Sequence, residues 1–311
     1  MIQITNLTKR YGATLAVDDL SFDVIPGHVT GFLGPNGSGK STTMRAILGL
    51  DSPTSGRTLV NGHPFRQARV PLREVGALLD ARAVHPGRTA ANHLLALARS
   101  NRLPASRVDE VLGTVGLTEV ADRRTGGFSL GMSQRLGIAA ALLGDPSVVL
   151  FDEPVNGLDT EGIRWIRALV RGLAADGRTV LVSSHLMSEM ELMADRLVVI
   201  GQGRLIADTT VTELVRANSR PVTLVRSPQR TEPRTVLETI GAQLELDPGG
   251  GWRVTGPDAA QIGDLALAKG VALHELHPVL SSLEDAYTLV TEHSVQYRGA
   301  GRVDEKPEDN R

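Results

Sequence analysis

The run Gly34-Pro35-Asn36-Gly37-Ser38-Gly39-Lys40-Ser41 has the spacing G-x-x-x-x-G-K-[ST] of a phosphate-binding loop. Its glycines let backbone N–H groups curl around phosphate oxygens, and a helix starting at Lys40–Thr42 would add partial positive charge. Lys40 would reach the β- and γ-phosphates, and the Ser41 hydroxyl would ligate Mg²⁺. Two adjacent acids, Asp152 and Glu153, follow a continuous apolar run. Asp152 would hold Mg²⁺ directly or through water, and Glu153 would polarise an attacking water. Taken alone, such a pair could instead cap the next helix or pair with arginines. His185, after Ser183-Ser184, is placed to reach a γ-phosphate. Together these residues are suited to hydrolysing a nucleoside triphosphate.

Such chemistry needs a scaffold that brings distant residues to one edge. Val29–Leu33 reads as a short apolar strand ahead of the glycine loop, and Thr42–Leu48 as the first turns of a helix. Ser147–Phe151 is too short for a helix and reads as a strand buried on both faces, as in a parallel sheet. Thr160–Ala175 places Ile163, Ile166, Leu169, Val170 and Leu173 on one helical face, and Gly177 ends it. Thr179–Val182 is the next strand. This alternation predicts an α/β fold with its ligand at the carboxyl edge of the strands.

The 311 residues suffice for one large domain plus a smaller one, and 41% hydrophobic with 22% charged residues describes an ordinary globular protein. A net charge of −2 offers no electrostatic footprint for nucleic acid. There is no cysteine, hence no disulfide framework and no cysteine metal site. Lysine occurs only at positions 9, 40, 269 and 306, so one of these few sits in the phosphate loop. Met1–Thr5 shows no basic segment ahead of an apolar core, and no signal peptide is expected. No apolar run approaches the ~20 residues needed to span a bilayer, so any membrane part must come from another chain.

The motifs as a set resemble the ATP-binding subunit of an ABC transporter. The most specific marker is Phe128-Ser129-Leu130-Gly131-Met132, in the place of the family's Leu-Ser-Gly-Gly-Gln signature. Ser129 can cap the helix that follows. By the resemblance, Ser129, Leu130, Gly131 and Met132 would act on ATP bound to a second copy. Leu130 and Met132 replace a glycine and a glutamine of the family pattern, whereas Ser129 and Gly131 are kept. Tyr11 occupies the place of an adenine-stacking aromatic, and Val155–Asp159 resembles the D-loop, with Asp159 at the dimer interface. His185 resembles the switch histidine. The matches cover roughly residues 1–216 and imply a P-loop NTPase fold with an ABC-type helical subdomain at about 82–145.

One position departs from the family. Where a glutamine normally follows the strand entering the helical subdomain, Glu74–Leu79 leads into Asp80. As a hard oxygen ligand Asp80 is expected to keep a magnesium-sensing role; an exposed loop carboxylate is the alternative. Beyond it, Thr89 is a plausible N-cap for a helix from Ala90. By the resemblance, Arg82, Val84 and His85 are candidates for contact with a permease.

After about Ala217 the motifs stop. Strands are expected at Pro221–Val225, Ala242–Leu246, Trp252–Thr255 and Val271–Leu276, with helices at Arg234–Ile240 and Ala259–Lys269. Asp247–Gly251 reads as a hairpin turn. This predicts a small α+β domain at 217–295, ferredoxin-like in order, with a last helix from Ser282 and a disordered tail at 296–311. His274 and His277 lack zinc-peptidase spacing and would lie on opposite faces of a strand.

The resemblance implies an ATPase that uses ATP and Mg²⁺, forms a homodimer around two ATP, and powers a separately encoded membrane permease at the cytoplasmic face of the membrane. The signature variant and the C-terminal extension resemble drug- and antibiotic-export ATPases, which implies export of a drug, antibiotic or lipid-like compound. A soluble ABC-type ATPase acting on DNA or ribosomes is the competing class. Against it stand the lack of long heptad segments and the single phosphate loop. A non-hydrolysing regulator is disfavoured by Glu153 and His185.

Overall fold

The computed structural model describes residues 1–218, 222–228, 237, 242–279 and 282–291. Its centre is a sheet of β3 (Val29–Leu33), β5 (Val75–Leu78), β6 (Val148–Asp152), β7 (Thr179–Ser183), β8 (Arg196–Gly201) and β9 (Arg204–Thr210), in the order β5-β6-β7-β3-β8-β9. All neighbours are parallel except β8 and β9. Every residue of β3 and β7 is buried, which is why these strands read as unbroken apolar runs.

Alternate residues serve two cores. Val149, Phe151, Val180 and Val182 face one side, against helices; Val148, Leu150 and Leu181 face the other. The helices are α1 (Lys40–Ile47), α2 (Pro71–Glu74), α3 (Ala90–Ser100), α4 (Ser106–Thr114), α5 (Leu130–Leu142), α6 (Thr160–Ala175), α7 (Met187–Met193) and α8 (Val211–Asn218). Helices α3, α4 and α5 share one buried cluster with the sheet. Backbones touch where β5 meets α5: a β-carbon on Gly76 would lie 2.0 Å from the Ala141 carbonyl oxygen. Thr89 and Ser129 do cap their helices, accepting from the Asn92 and Met132 N–H groups at 3.1 and 3.2 Å.

The second core lies under an antiparallel sheet, β2-β1-β4, built from β1 (Ile2–Tyr11), β2 (Thr14–Val24) and β4 (Ser55–Val60). It ends Tyr11 beside the glycine loop. Sequence periodicity did not reveal this sheet. Its pairing is broken by register shifts, and Asn6 and Asp19 adopt left-handed backbone at φ 48° and 50°, so the period-two pattern is interrupted.

In the C-terminal segment, β10 (Val222–Arg226), β11 (Gln243–Leu246), β12 (Trp252–Thr255) and β13 (Glu275–Val279) form an antiparallel sheet in the order β11-β12-β10-β13. With α9 (Ala259–Ala268) in the second crossover and Leu237 helical in the first, this is ferredoxin-like order. The rest of the expected helix at 234–240 lies outside the described residues, as does the expected tail at 296–311. The last strand runs later than the expected Val271–Leu276, through Pro278. It is an edge strand, where a residue lacking an N–H is tolerated. His274 precedes it and donates its N–H to the Arg226 carbonyl (2.7 Å), while His277 lies within it.

The final helix, α10 (Leu283–Thr291), packs back on α7 and α8. Leu283 and Ala286 are fully buried in the same cluster as Met190, Met193 and Leu214. The Leu283 N–H donates to Glu191 Oε2 at 3.2 Å, fixing the helix start on α7.

Candidate nucleotide site

The loop between β3 and α1 is shaped by glycines. Gly39 sits at φ 105°, and a β-carbon there would come 2.6 Å from the Ala16 carbonyl oxygen. One on Gly34 would come 2.5 Å from both the Ile200 carbonyl and Ser38 Oγ. Only glycine fits either position. The helix opens with no side-chain cap and no acid in its first turn, so its amide dipole faces the loop.

Lys40 is buried, and its Nζ donates to the carbonyls of Gly34 (2.5 Å) and Pro35 (3.2 Å). Desolvation pulls its pKa below the usual lysine value, against the opposing attraction of Glu153 and Asp152. A buried ammonium held only by carbonyls is suited to an anion. Ser38 Oγ is also buried, with no hydrogen-bond partner among the described residues. The cavity above, about 270 Å³, is lined by Ala16, residues 36–42, Asp152 and Glu153. An orphaned hydroxyl, a poorly solvated cation and an uncapped helix start converge on it, and phosphate fits all three.

The sheet register assembles the acidic half. Asp152 pairs with Ser183 across β6 and β7, and Phe32 of β3 pairs with Ser183 from the other side. The carboxyl ends of three strands therefore coincide. Ser41 Oγ donates to Asp152 Oδ2 at 2.8 Å, and Ser183 Oγ donates to Asp152 Oδ1 at 2.5 Å. Two adjacent oxygen ligands of an octahedral Mg²⁺ at ~2.1 Å stand about 3 Å apart. The Ser41–Asp152 pair therefore fits that ion.

Glu153 is held in a left-handed conformation, φ 53°. Its N–H donates to Ser183 Oγ (3.0 Å), and its carbonyl accepts from Gln134 Nε2 (3.0 Å). The carboxylate turns to His185, whose Nδ1 lies 2.7 Å from Oε2. Sequence reasoning found Glu153 and His185 but gave no role to Ser183 or Gln134. For Ser183 the usable signal was its place at the end of a neighbouring parallel strand. For Gln134 there was none: it stands between Ser133 and Arg135, and only its burial sets it apart.

Tyr11 is 46% exposed at the end of β1. Its hydroxyl donates to Asp51 Oδ2 (2.7 Å), and the Lys9 ammonium lies 4.8 Å from the ring centroid. Arg45 also binds Asp51, at 2.8 Å. These bonds, Arg45 first and Tyr11 second, hold the Asp51 carboxyl at a pKa of about 2.

The remaining expected site residues lie elsewhere. The Asp80 carboxylate is outside the cavity lining and accepts the Arg82 N–H at 2.8 Å. Ser129, Leu130, Gly131 and Met132 do not line the cavity either. They pack on the loop after β6, where a β-carbon on Gly131 would sit 2.8 Å from the Gly157 carbonyl. Asp159 caps α6, accepting the Gly162 N–H at 2.8 Å.

A largely parallel sheet with a phosphate loop, a Ser–Asp pair whose spacing fits Mg²⁺ and a Glu–His pair at its carboxyl edge defines a P-loop ATPase. Residues 17–156 match the family model described as ABC transporter, and residues 221–284 match one described as a domain of unknown function (DUF8746). The uncharacterized ABC transporter ATP-binding protein YhcH of Bacillus subtilis is 35% identical over 302 residues, covering 94% of this chain and 96% of the relative. The bacitracin transport ATP-binding protein BcrA of Bacillus licheniformis is 40% identical over 223 residues, 71% of this chain and 73% of the relative. Among solved structures, an ATP-binding subunit of an ABC transporter superposes with a TM-score of 0.65 at 26% identity, covering 70% of this chain and 92% of that one. The chain belongs to the ABC transporter ATP-binding proteins and is an ATPase.

Proposed function

We propose that two copies of this chain close around two ATP molecules and drive a separate membrane permease that exports a drug, antibiotic or lipid-like compound. One observation carries the pairing. The nucleotide cavity is lined on one side by the phosphate loop and the acids, and no signature residue reaches it. Leu130, at the signature, is 41% exposed in the single chain. A second copy can supply that helix start as the other wall. Among the described residues no helix is long and apolar enough to cross a membrane, so the transport path belongs to a partner. The similarity to a bacitracin transport protein supports an antibiotic as cargo.

In this reading the chain's residues divide the work. Lys40 and the loop amides bind the phosphates, and Tyr11 offers a ring face to adenine. Ser41 and Asp152 would hold Mg²⁺, which would supply charge neutralisation at the phosphate oxygens. Glu153 accepts a proton from the attacking water, and His185, engaged through Nδ1, presents Nε2 toward the γ-phosphate. Because the γ-phosphate is lost on hydrolysis, contacts to it can favour the closed state before the reaction and not after.

A second cavity of about 380 Å³ lies between the loop after Asp80 and the signature, lined by Ala81, Arg82, Val84, Phe128, Leu130 and Leu136 among others. A permease segment seated there would touch both ATP-sensing loops, holding the subunit at the cytoplasmic face of the membrane. Glu153→Gln is expected to trap an ATP-bound dimer visible by light scattering. A variant that stays monomeric at saturating ATP overturns the pairing. Isolation of this chain from membranes with no integral protein attached overturns the permease role.

A further inference from the structure

Gln134 sits one turn into α5, the helix that Ser129 opens, and only 4% of it is exposed. Its side-chain nitrogen donates to the Glu153 carbonyl at 3.0 Å. The partner can only accept, so the amide orientation is unambiguous. That carbonyl belongs to the residue at φ 53°, a conformation disfavoured for any side chain with a β-carbon. The N–H of the same residue is held by Ser183 Oγ at 3.0 Å. Side chains from two other elements thus pin both backbone polar groups of Glu153, and such strain persists only where the surroundings enforce it. The same carbonyl also accepts the Asn156 N–H at 3.2 Å, so loss of the Gln134 bond would leave it held by its own turn alone and loosen the aim of the carboxylate at His185, now 2.7 Å distant.

We propose that Gln134 is a positioning residue that sets the aim of the Glu153 carboxylate. Through α5 it also ties that aim to occupancy at Ser129. The second half rests on the proposed pairing: the start of α5 would meet the partner's nucleotide, so closure at one site would adjust the water-polarising group of the other. Within one chain the bridge is a single hydrogen bond.

Two substitutions test it. Gln134→Met keeps the length and removes the donor. Its kcat should fall about tenfold while equilibrium ATP affinity and KM stay within twofold, as for a group acting only in the reaction step. Gln134→Glu sets an acceptor against the carbonyl. Its kcat should be low at pH 8 and recover several-fold toward pH 6, because a buried carboxyl takes up a proton readily and then donates. The wild-type profile, measured alongside, should lack this recovery.

A kcat for Gln134→Met within twofold of wild type overturns the inference, as does a wild-type pH profile for Gln134→Glu. Should the Met variant fail to fold, the pH profile decides alone. Coupling between sites is read from the Hill coefficient of rate against ATP, expected above 1 for the wild type and at 1 for Gln134→Met; equal coefficients in the two proteins overturn that half. Failure of the pairing shows separately, as a Glu153→Gln protein that remains monomeric with ATP.

Discussion

His185 engages one oxygen of Glu153 twice, through Nδ1 at 2.7 Å and through its backbone N–H at 3.3 Å. Oε2 is therefore occupied, and Oε1 is the oxygen left to meet a water. The ring and the carboxylate act as one unit. His185→Ala is expected to lower kcat by about 10²-fold, the lower range for loss of a positioned acid–base group. Nucleotide affinity should be unchanged. Steady-state ATPase rates beside equilibrium ATP binding make the distinction.

Lys40 is a buried cation whose desolvation is offset only in part by Glu153 and Asp152, and a bound anion would offset it further. A ligand at 100 times its Kd stabilises a protein by about 2.7 kcal/mol, roughly 4 °C in Tm for a chain of this size. ATP with Mg²⁺ should produce a shift of that order in the wild type. Lys40→Ala should abolish the shift while remaining folded. Thermal denaturation with and without ATP checks this.

The Tyr11–Asp51–Arg45 cluster carries a defined pH signature. The Asp51 carboxyl titrates at about 2 when folded and near 3.8 otherwise. A depressed carboxylate pKa gives stability that is fully present above the higher value and is lost as pH falls through the lower one. Wild type and Asp51→Ala should therefore differ by a constant Tm above pH ~4 and converge toward pH ~2. At neutral pH, Asp51→Ala should also weaken ATP binding severalfold by freeing the Tyr11 ring.

Asp80 accepts the Arg82 N–H through Oδ1, which leaves Oδ2 for a metal. In the proposed magnesium-sensing role, Asp80→Ala raises the half-saturating Mg²⁺ concentration of the ATPase several-fold. An unchanged value leaves Asp80 as the residue that shapes its own loop.

Ala286 is fully buried where α10 meets α7. Ala286→Asp would bury an unpaired carboxylate, a change that commonly costs about 3 kcal/mol or more. The expected result is a lower Tm and faster proteolysis after residue 218, with Lys40-dependent ATP binding retained. Limited digestion followed by mass spectrometry checks it.

Much of the site was legible because its constraints are local. Val148–Asp152 and Thr160–Ala175 appear where their apolar runs placed them, since full burial and amphipathic spacing leave little choice of element. The glycine loop announces itself because no other residue fits Gly34 or Gly39. What escaped depends on partners far apart in sequence. Gln134 acquires meaning through Glu153 and Ser183 through Asp152 and Glu153, and β1 with its bulges is defined by β2 and β4. The late placement of β13 shows the same limit: Pro278 looks like a terminator until the strand is known to lie at an edge.

The ferredoxin-like segment is inserted between two helices, α8 and α10, that lie against each other on the ATPase body. Both flanking helices are thus stitched to one patch, and among the described residues neither lines the nucleotide cavity. An insert of this kind is exchangeable. Swapping the stretch between Asn218 and Ser282 for another sequence would leave each reacting group on its original strand. Recombination can therefore vary the accessory module while the engine is inherited intact.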